Sequence, residues 1–196
     1  MHTFGRLVLV LVLGLVTASA GCRSKDRVEN RFDPNSQMRL TAIADSAHVV
    51  MACRFTTPPE SVPAQSATEL GRAGSSILFE VPKANLNAVS NLKNIERAAV
   101  WGDAALMAKL DQRLKQELLA AWDEGRQNPM PLMARFNEGT PEVEQALARE
   151  GATPRTVAGP VVTLDADPET ILRIASLPGL VSLSTPRTVS PLDSTP

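Results

Sequence analysis

Tyrosine is absent from this chain of 196 residues, aromatic residues of all kinds make up 4%, and cysteine and histidine occur twice each. So little aromatic surface leaves no stacking platform for single-stranded nucleic acid. A formal charge of −1 gives no basic footprint for a phosphate backbone, so nucleic acid is excluded as a partner. Cys22 and Cys53 are too few for a disulfide framework. His2 falls in the N-terminal segment, which leaves His48 for any Ser-His-Asp or Cys-His chemistry in a processed chain. His48 precedes Cys53 by five residues in an expected strand, and odd spacing sends the two side chains to opposite faces. A structural or surface histidine is the reading. P-loop, G-x-G-x-x-G, G-x-S-x-G and metal-ligand patterns are all missing. Asp165 with Asp167, and Glu142 with Glu144, lie at expected helix starts, where stabilising the helix N-terminus accounts for them. No catalytic residue, metal or cofactor is assigned, and an enzyme built on His48 or Cys53 ranks last among the function classes.

Long hydrophobic runs are missing apart from residues 7–16, LVLVLVLGLV, which follow Arg6. Ten apolar residues are too few to span a bilayer but suit the apolar region of a signal peptide, assigned here to residues 1–21. Ser19-Ala20-Gly21-Cys22 resembles the lipobox of bacterial lipoproteins, with Ser19 where leucine is usual. The resemblance implies a lipid attached to Cys22, and a chain anchored to a membrane and facing the periplasm or the cell exterior. Ala18-Ser19-Ala20 is also a site for ordinary signal peptidase. Cleavage there would give a soluble secreted chain in which Cys22 and Cys53 could pair. The lipoprotein is the preferred reading, because the polar residues 22–37 read as a tether holding a domain off a membrane.

With 43% apolar and 21% charged residues the remainder can bury an ordinary core. The expected fold class is α+β. Residues 38–102 form a first unit, residues 103–125 a linking helix, residues 126–186 a second unit, and residues 187–196 a flexible tail. The second unit is the clearer. Leu132, Ala134 and Phe136 alternate as in a half-buried strand. Thr140-Pro141-Glu142 and Asp167-Pro168-Glu169 start helices. A hairpin turns at residues 158–160, and residues 180–184 close with a strand. This β-α-β-β-α-β order is that of a ferredoxin-like unit. In the first unit, residues 48–55, 75–81 and 95–101 read as strands, residues 84–92 as a helix, and the Pro-rich residues 56–74 as a long loop. Asp103 caps the expected linking helix, which carries Leu106, Leu110, Leu114, Leu118 and Trp122 at four-residue spacing and stops at Gly125.

The halves echo each other. At an offset of 85, Ile77, Phe79, Leu86, Val89, Leu92 and Ile95 fall on Val162, Leu164, Ile171, Ile174, Leu177 and Leu180. A duplication is expected from this, giving two ferredoxin-like units of which the first is degenerate.

Residues 157–186 carry a family likeness. Gly159 in the hairpin, residues 161–164, the helix with Ile171 and Leu177, the Pro178-Gly179 bend and residues 180–183 resemble the second half of subtilisin propeptides and their related protease inhibitors. The resemblance implies an open sheet that packs on a subtilisin-type serine protease. It also implies an extended segment just after the last strand, here Leu183, Ser184, Thr185 and Pro186, lying in the protease cleft. The expected function is therefore a non-enzymatic protein-binding module of the cell envelope, in its sharper form a propeptide-like inhibitor or chaperone of such a protease. The alternative is a structural lipoprotein subunit of an envelope complex with no protease link.

Overall fold

The computed structural model describes residues 32–60, 67–86, 89, 92–139 and 141–186. The expected signal peptide, Cys22 and the expected flexible tail, residues 187–196, lie outside the described residues. Among the described residues the fold is mixed α+β, with two four-stranded sheets and five α-helices. The first sheet has the order β2 (Thr68–Ala73), β3 (Ser76–Pro82), β1 (His48–Phe55), β4 (Ile95–Asp103). The second has the order β6 (Thr153–Ala158), β7 (Val161–Ala166), β5 (Met130–Phe136), β8 (Leu180–Ser184). All neighbouring strands in both sheets are antiparallel.

The two sheets match in register. Ala52 faces Leu78 and Ala99, as Met133 faces Thr163 and Ser184. Arg54 faces Ser76 and Arg97, as Arg135 faces Val161 and Ser182. The register slips past Glu96 in β4 and past Val181 in β8, and past Leu70 in β2 and Arg155 in β6. Bulges are specific backbone features, and these fall at equivalent places. The bends agree too: the Thr56 N–H donates to Asn94 O and the Asn137 N–H to Gly179 O, with Asn94 at φ 68° and Gly179 at φ 75°.

Sequence and structure part in three places, each for a physical reason. Residues 32–37 belong to the fold and not to the tether. Phe32 is buried and bridges Ala98 of β4, and Asp33 caps α1 (Pro34–Ala42) by accepting the Ser36 N–H at 2.8 Å. The Ser36 hydroxyl then accepts the buried Val100 N–H at 2.9 Å. Residues 68–73, expected within a loop, form β2, because the turn at Gly74 folds them back onto β3. The helix expected over residues 84–92 is entered through a 3-10 turn (Lys83–Asn85), and its described residues Leu86 and Val89 are helical. Leu86 and Val89 are buried as expected, and residues 87, 88, 90 and 91 lie outside the described residues.

The linking helix is broken. It consists of α2 (Ala104–Met107), capped by Asp103, and α3 (Gln112–Glu124), capped by Asp111. Between them Lys109 O accepts the Leu183 N–H at 2.7 Å, and the Asp111 N–H donates to Leu183 O at 3.0 Å. Two hydrogen bonds to the edge of β8 hold Leu110 in a parallel bridge with Leu183 and interrupt the helix. Asp111 therefore accepts the Leu114 N–H at 2.6 Å instead of lying mid-helix four residues from Lys115. Phe32, Asp33 and α1 stand to β4 as Leu110, Asp111 and α3 stand to β8, so α3 opens the second repeat. Gly125 ends α3 at φ 70°, as expected.

Two clusters of buried side chains result. One face of the first sheet, with Met51, Cys53, Phe55, Phe79 and Val81, is covered by Phe32, Leu40, Leu86 and Val89. Its other face, with Val50, Ala52, Leu78 and Trp101, packs with Leu114, Leu118 and Leu119 of α3 in a cluster that continues into the second sheet. Burial on both faces accounts for the unbroken run of buried residues from Val49 to Cys53 in β1. Among the described residues the second sheet is covered on one face only, by α4 (Pro141–Arg149) and α5 (Pro168–Ile174), which supply Leu147, Ile171 and Ile174 to the shared cluster. Alternate residues of β7 are buried.

Candidate functional site

The uncovered face of the second sheet presents Met133 and Arg135 from β5, Val161, Thr163 and Asp165 from β7, and Ser182 and Ser184 from β8. Leu132, Ala134 and Phe136 point the other way into the core. Asp165 is ion-paired to Arg155, whereas Arg135 is exposed. Val181, at the β8 bulge, is 43% exposed, one of three large apolar residues so exposed among those described. The equivalent face of the first sheet is the one that α3 covers.

The candidate partner-binding residues at the end of β8 are placed unevenly. Leu183 is fully buried, and its main-chain N–H and C=O are both engaged by residues 109 and 111. Ser184 is half-buried opposite Met133, Thr185 is buried and Pro186 is exposed. They border a groove of about 540 Å³ with Lys109 and Asp111 on its other side. A partner strand that paired with Leu183 would first have to displace residues 109–111.

A second concavity, of about 320 Å³, lies where α1 meets α5, over Trp101. Glu169 is its polar centre. Arg39 is ion-paired with it, Asn35 donates to it at 3.3 Å, and Arg173 lies 4.0 Å away. This cluster ties the two repeats together from the outside. No local pattern signals it, because Arg39 and Glu169 are 130 residues apart.

The residues considered for chemistry are dispersed. His48 is exposed at the start of β1, 2.7 Å from Glu80, while Cys53 is buried on the opposite face of the sheet. Burial pushes the Cys53 thiol from 9.0 up to about 12. Asp167 caps α5. Burial alone would raise its pKa, but hydrogen bonds from the Thr170 N–H and hydroxyl and the Glu169 N–H, with the Arg173 charge, bring it below the ordinary carboxylate value. Among the described residues no group of three His, Cys, Asp or Glu side chains could hold a metal ion, and no helix is long and apolar enough to cross a membrane. Chemically the molecule offers surfaces: an open sheet face, a groove at its edge and a cleft between its repeats. In comparisons with known proteins no family model, no curated protein and no solved structure matches this chain.

Proposed function

We propose that this chain is a non-enzymatic protein-binding module of the cell envelope, exported and lipid-anchored at Cys22, in which two ferredoxin-like units are fused and the open face of the second receives a partner. The single observation that carries this reading is the contrast between two equivalent faces, one covered by α3 and the other uncovered. The strand order β6-β7-β5-β8, antiparallel throughout and with α4 and α5 as crossovers, supports the ferredoxin-like assignment. The partner best suited to that assignment and to the family likeness is a subtilisin-type serine protease, bound as a propeptide binds, with residues 183–186 beside its cleft.

A second reading, a structural subunit of an envelope complex, is favoured by the engagement of Leu183 with residues 109 and 111, which leaves that edge unavailable for strand pairing. Titrating the full mature chain, and a chain ending at Pro186, against subtilisin separates the two. The inhibitor reading expects saturable inhibition by both. No inhibition, together with stoichiometric co-purification of an envelope protein that is not a protease, would establish the second reading.

Export and anchoring are tested by the mass of the mature chain, combined with thiol labelling. The expected product starts at Cys22 and carries lipid. Cys53 is expected to resist maleimide at neutral pH until the chain is denatured, because its thiol is buried and its pKa raised. A raised folded pKa gives a contribution to stability that is intact below the unfolded value of 9.0 and declines as pH rises from there toward about 12. A lipid-free chain with Cys53 disulfide-bonded to Cys22 would overturn the anchor.

A further inference from the structure

The first repeat shows how its own version of this face is filled. The C-terminal end of α3 lies over the row Ser76–Arg54–Arg97, where three side chains grip it. Arg54 Nη1 donates to Asp123 O at 2.9 Å, Ser76 Oγ donates to the Asp123 carboxylate at 2.5 Å, and Arg97 donates to Trp122 O. The Arg97 guanidinium also stacks on the Trp122 ring, 4.1 Å from its centroid. Two cations thus meet the carbonyl end of a helix, where its dipole is negative. Gly74 allows this approach, since a Cβ there would collide with the Asp123 carboxylate.

The matching row of the second sheet is Val161–Arg135–Ser182. It keeps the arginine at the position of Arg54, has Val161 in place of Ser76 and Ser182 in place of Arg97, and keeps glycine at the turn, where Gly159 has φ 57° against 55° for Gly74. At the Cβ position of Gly159 the space is open, with no described atom beyond its chain neighbours within 4 Å, although its carbonyl packs closely against Gly139. Arg135 is exposed and has no partner among the described residues. Further along the face, Met133 and Thr163 stand where Ala52 and Leu78 meet α3.

We infer that the open face of the second sheet takes the C-terminal end of an amphipathic helix of a partner protein, oriented as α3 lies on the first sheet, with Arg135 over its last carbonyls and an acidic side chain of its final turn. The inference rests on the partner-face reading above and adds which element the partner presents, which way it runs and which residue selects it. Thr163 and Ser184 replace Leu78 and Ala99, so at these two positions this face is more polar than its counterpart. It suits association that comes and goes more than a permanent core.

The probe is a fluorescently labelled peptide of residues 110–126, which carries the α3 sequence, added to the full chain and followed by polarisation. Saturable binding is expected. Arg135→Glu is expected to weaken it about tenfold, since a cation at a helix C-terminus is replaced by an anion. A peptide carrying Asp123→Arg should regain affinity for that variant. Thr163→Arg, which blocks the middle of the face, should abolish binding. Both substituted side chains lie off the core, and circular dichroism of each variant checks its fold. If Thr163→Arg abolishes binding while Arg135→Glu leaves it unchanged, the face still receives a partner and the helix-end inference is overturned. If the peptide fails to bind, or binds all variants equally, the inference falls, and the subtilisin titration then decides alone whether the partner-face reading stands.

Discussion

Leu118→Ala is expected to destabilise both repeats together, by about 3 kcal/mol, in a single unfolding transition. Leu118 is buried in the cluster that α3 shares between the first sheet and the second repeat. It borders the small cavity formed with Ala99 and Trp101 of β4 and Leu172 of α5. Truncating a buried leucine removes its transfer free energy and leaves a cavity, a combined cost of about 2–5 kcal/mol. Set against a whole-domain stability of about 5–15 kcal/mol, that is a large fraction. The measurement is urea unfolding followed by far-UV circular dichroism and by tryptophan fluorescence. The chain has two tryptophans, and both sit where α3 meets the first sheet: Trp101 on β4 and Trp122 under Arg97. Fluorescence therefore reports on that joint, and circular dichroism on all helices and strands. Coincident transitions, both shifted in Leu118→Ala, are expected from a continuous core. A variant whose fluorescence transition moves while its circular dichroism transition does not would show that the repeats unfold separately.

What the sequence revealed and what it hid follow from how local each signal was. The second repeat was legible because its signals are short-range. Leu132, Ala134 and Phe136 alternate with outward residues, Asp167 and Pro168 sit together at a helix start, and Gly159 turns a hairpin. The outward row containing Met133 and Arg135 could be read from the same alternation. The break before α3 could not. A leucine stripe from Leu106 to Leu118 runs through it unbroken, and only the main chain of Leu183, more than seventy residues away, holds Lys109 and Asp111 out of the helix. Asp111 was the one local clue, but an aspartate four residues before a lysine fits a helix surface as well as a cap. Polar composition likewise hid residues 32–37, where one buried aromatic, Phe32, and one buried hydroxyl, Ser36, fix the segment to β4. In β1 the covering of both faces erased the alternation that would have separated the face under α3 from the face under α1. The equivalence of that covered face with the open one is therefore a property of register, which only paired strands display.

Gly74 and Gly159 turn that register into a stability difference. Both are left-handed, at φ 55° and 57°, and both turn the hairpin before the third strand of their sheet. Alanine at either costs about 1 kcal/mol for the backbone alone. At Gly159 nothing further is expected, because the space around its Cβ position is empty. At Gly74 the methyl group meets the Asp123 carboxylate, which must move and give up the Ser76 hydroxyl it accepts at 2.5 Å. A disrupted, partly buried hydrogen bond of a carboxylate adds about 1–3 kcal/mol. Gly74→Ala is therefore expected to cost about 2–4 kcal/mol in total, against about 1 for Gly159→Ala. Chemical denaturation midpoints with unchanged slopes measure the difference. The cause can be isolated with a third variant. Asp123→Ala removes the obstacle but leaves the Asp123 carbonyl that Arg54 holds. Adding Gly74→Ala to Asp123→Ala should then cost only the backbone term, about 1 kcal/mol, so the two substitutions are strongly non-additive. Equal costs at the two glycines, or strict additivity with Asp123→Ala, would mean that the end of α3 is not gripped where Arg54, Ser76 and Arg97 converge. Arg135 would then have no counterpart to imitate.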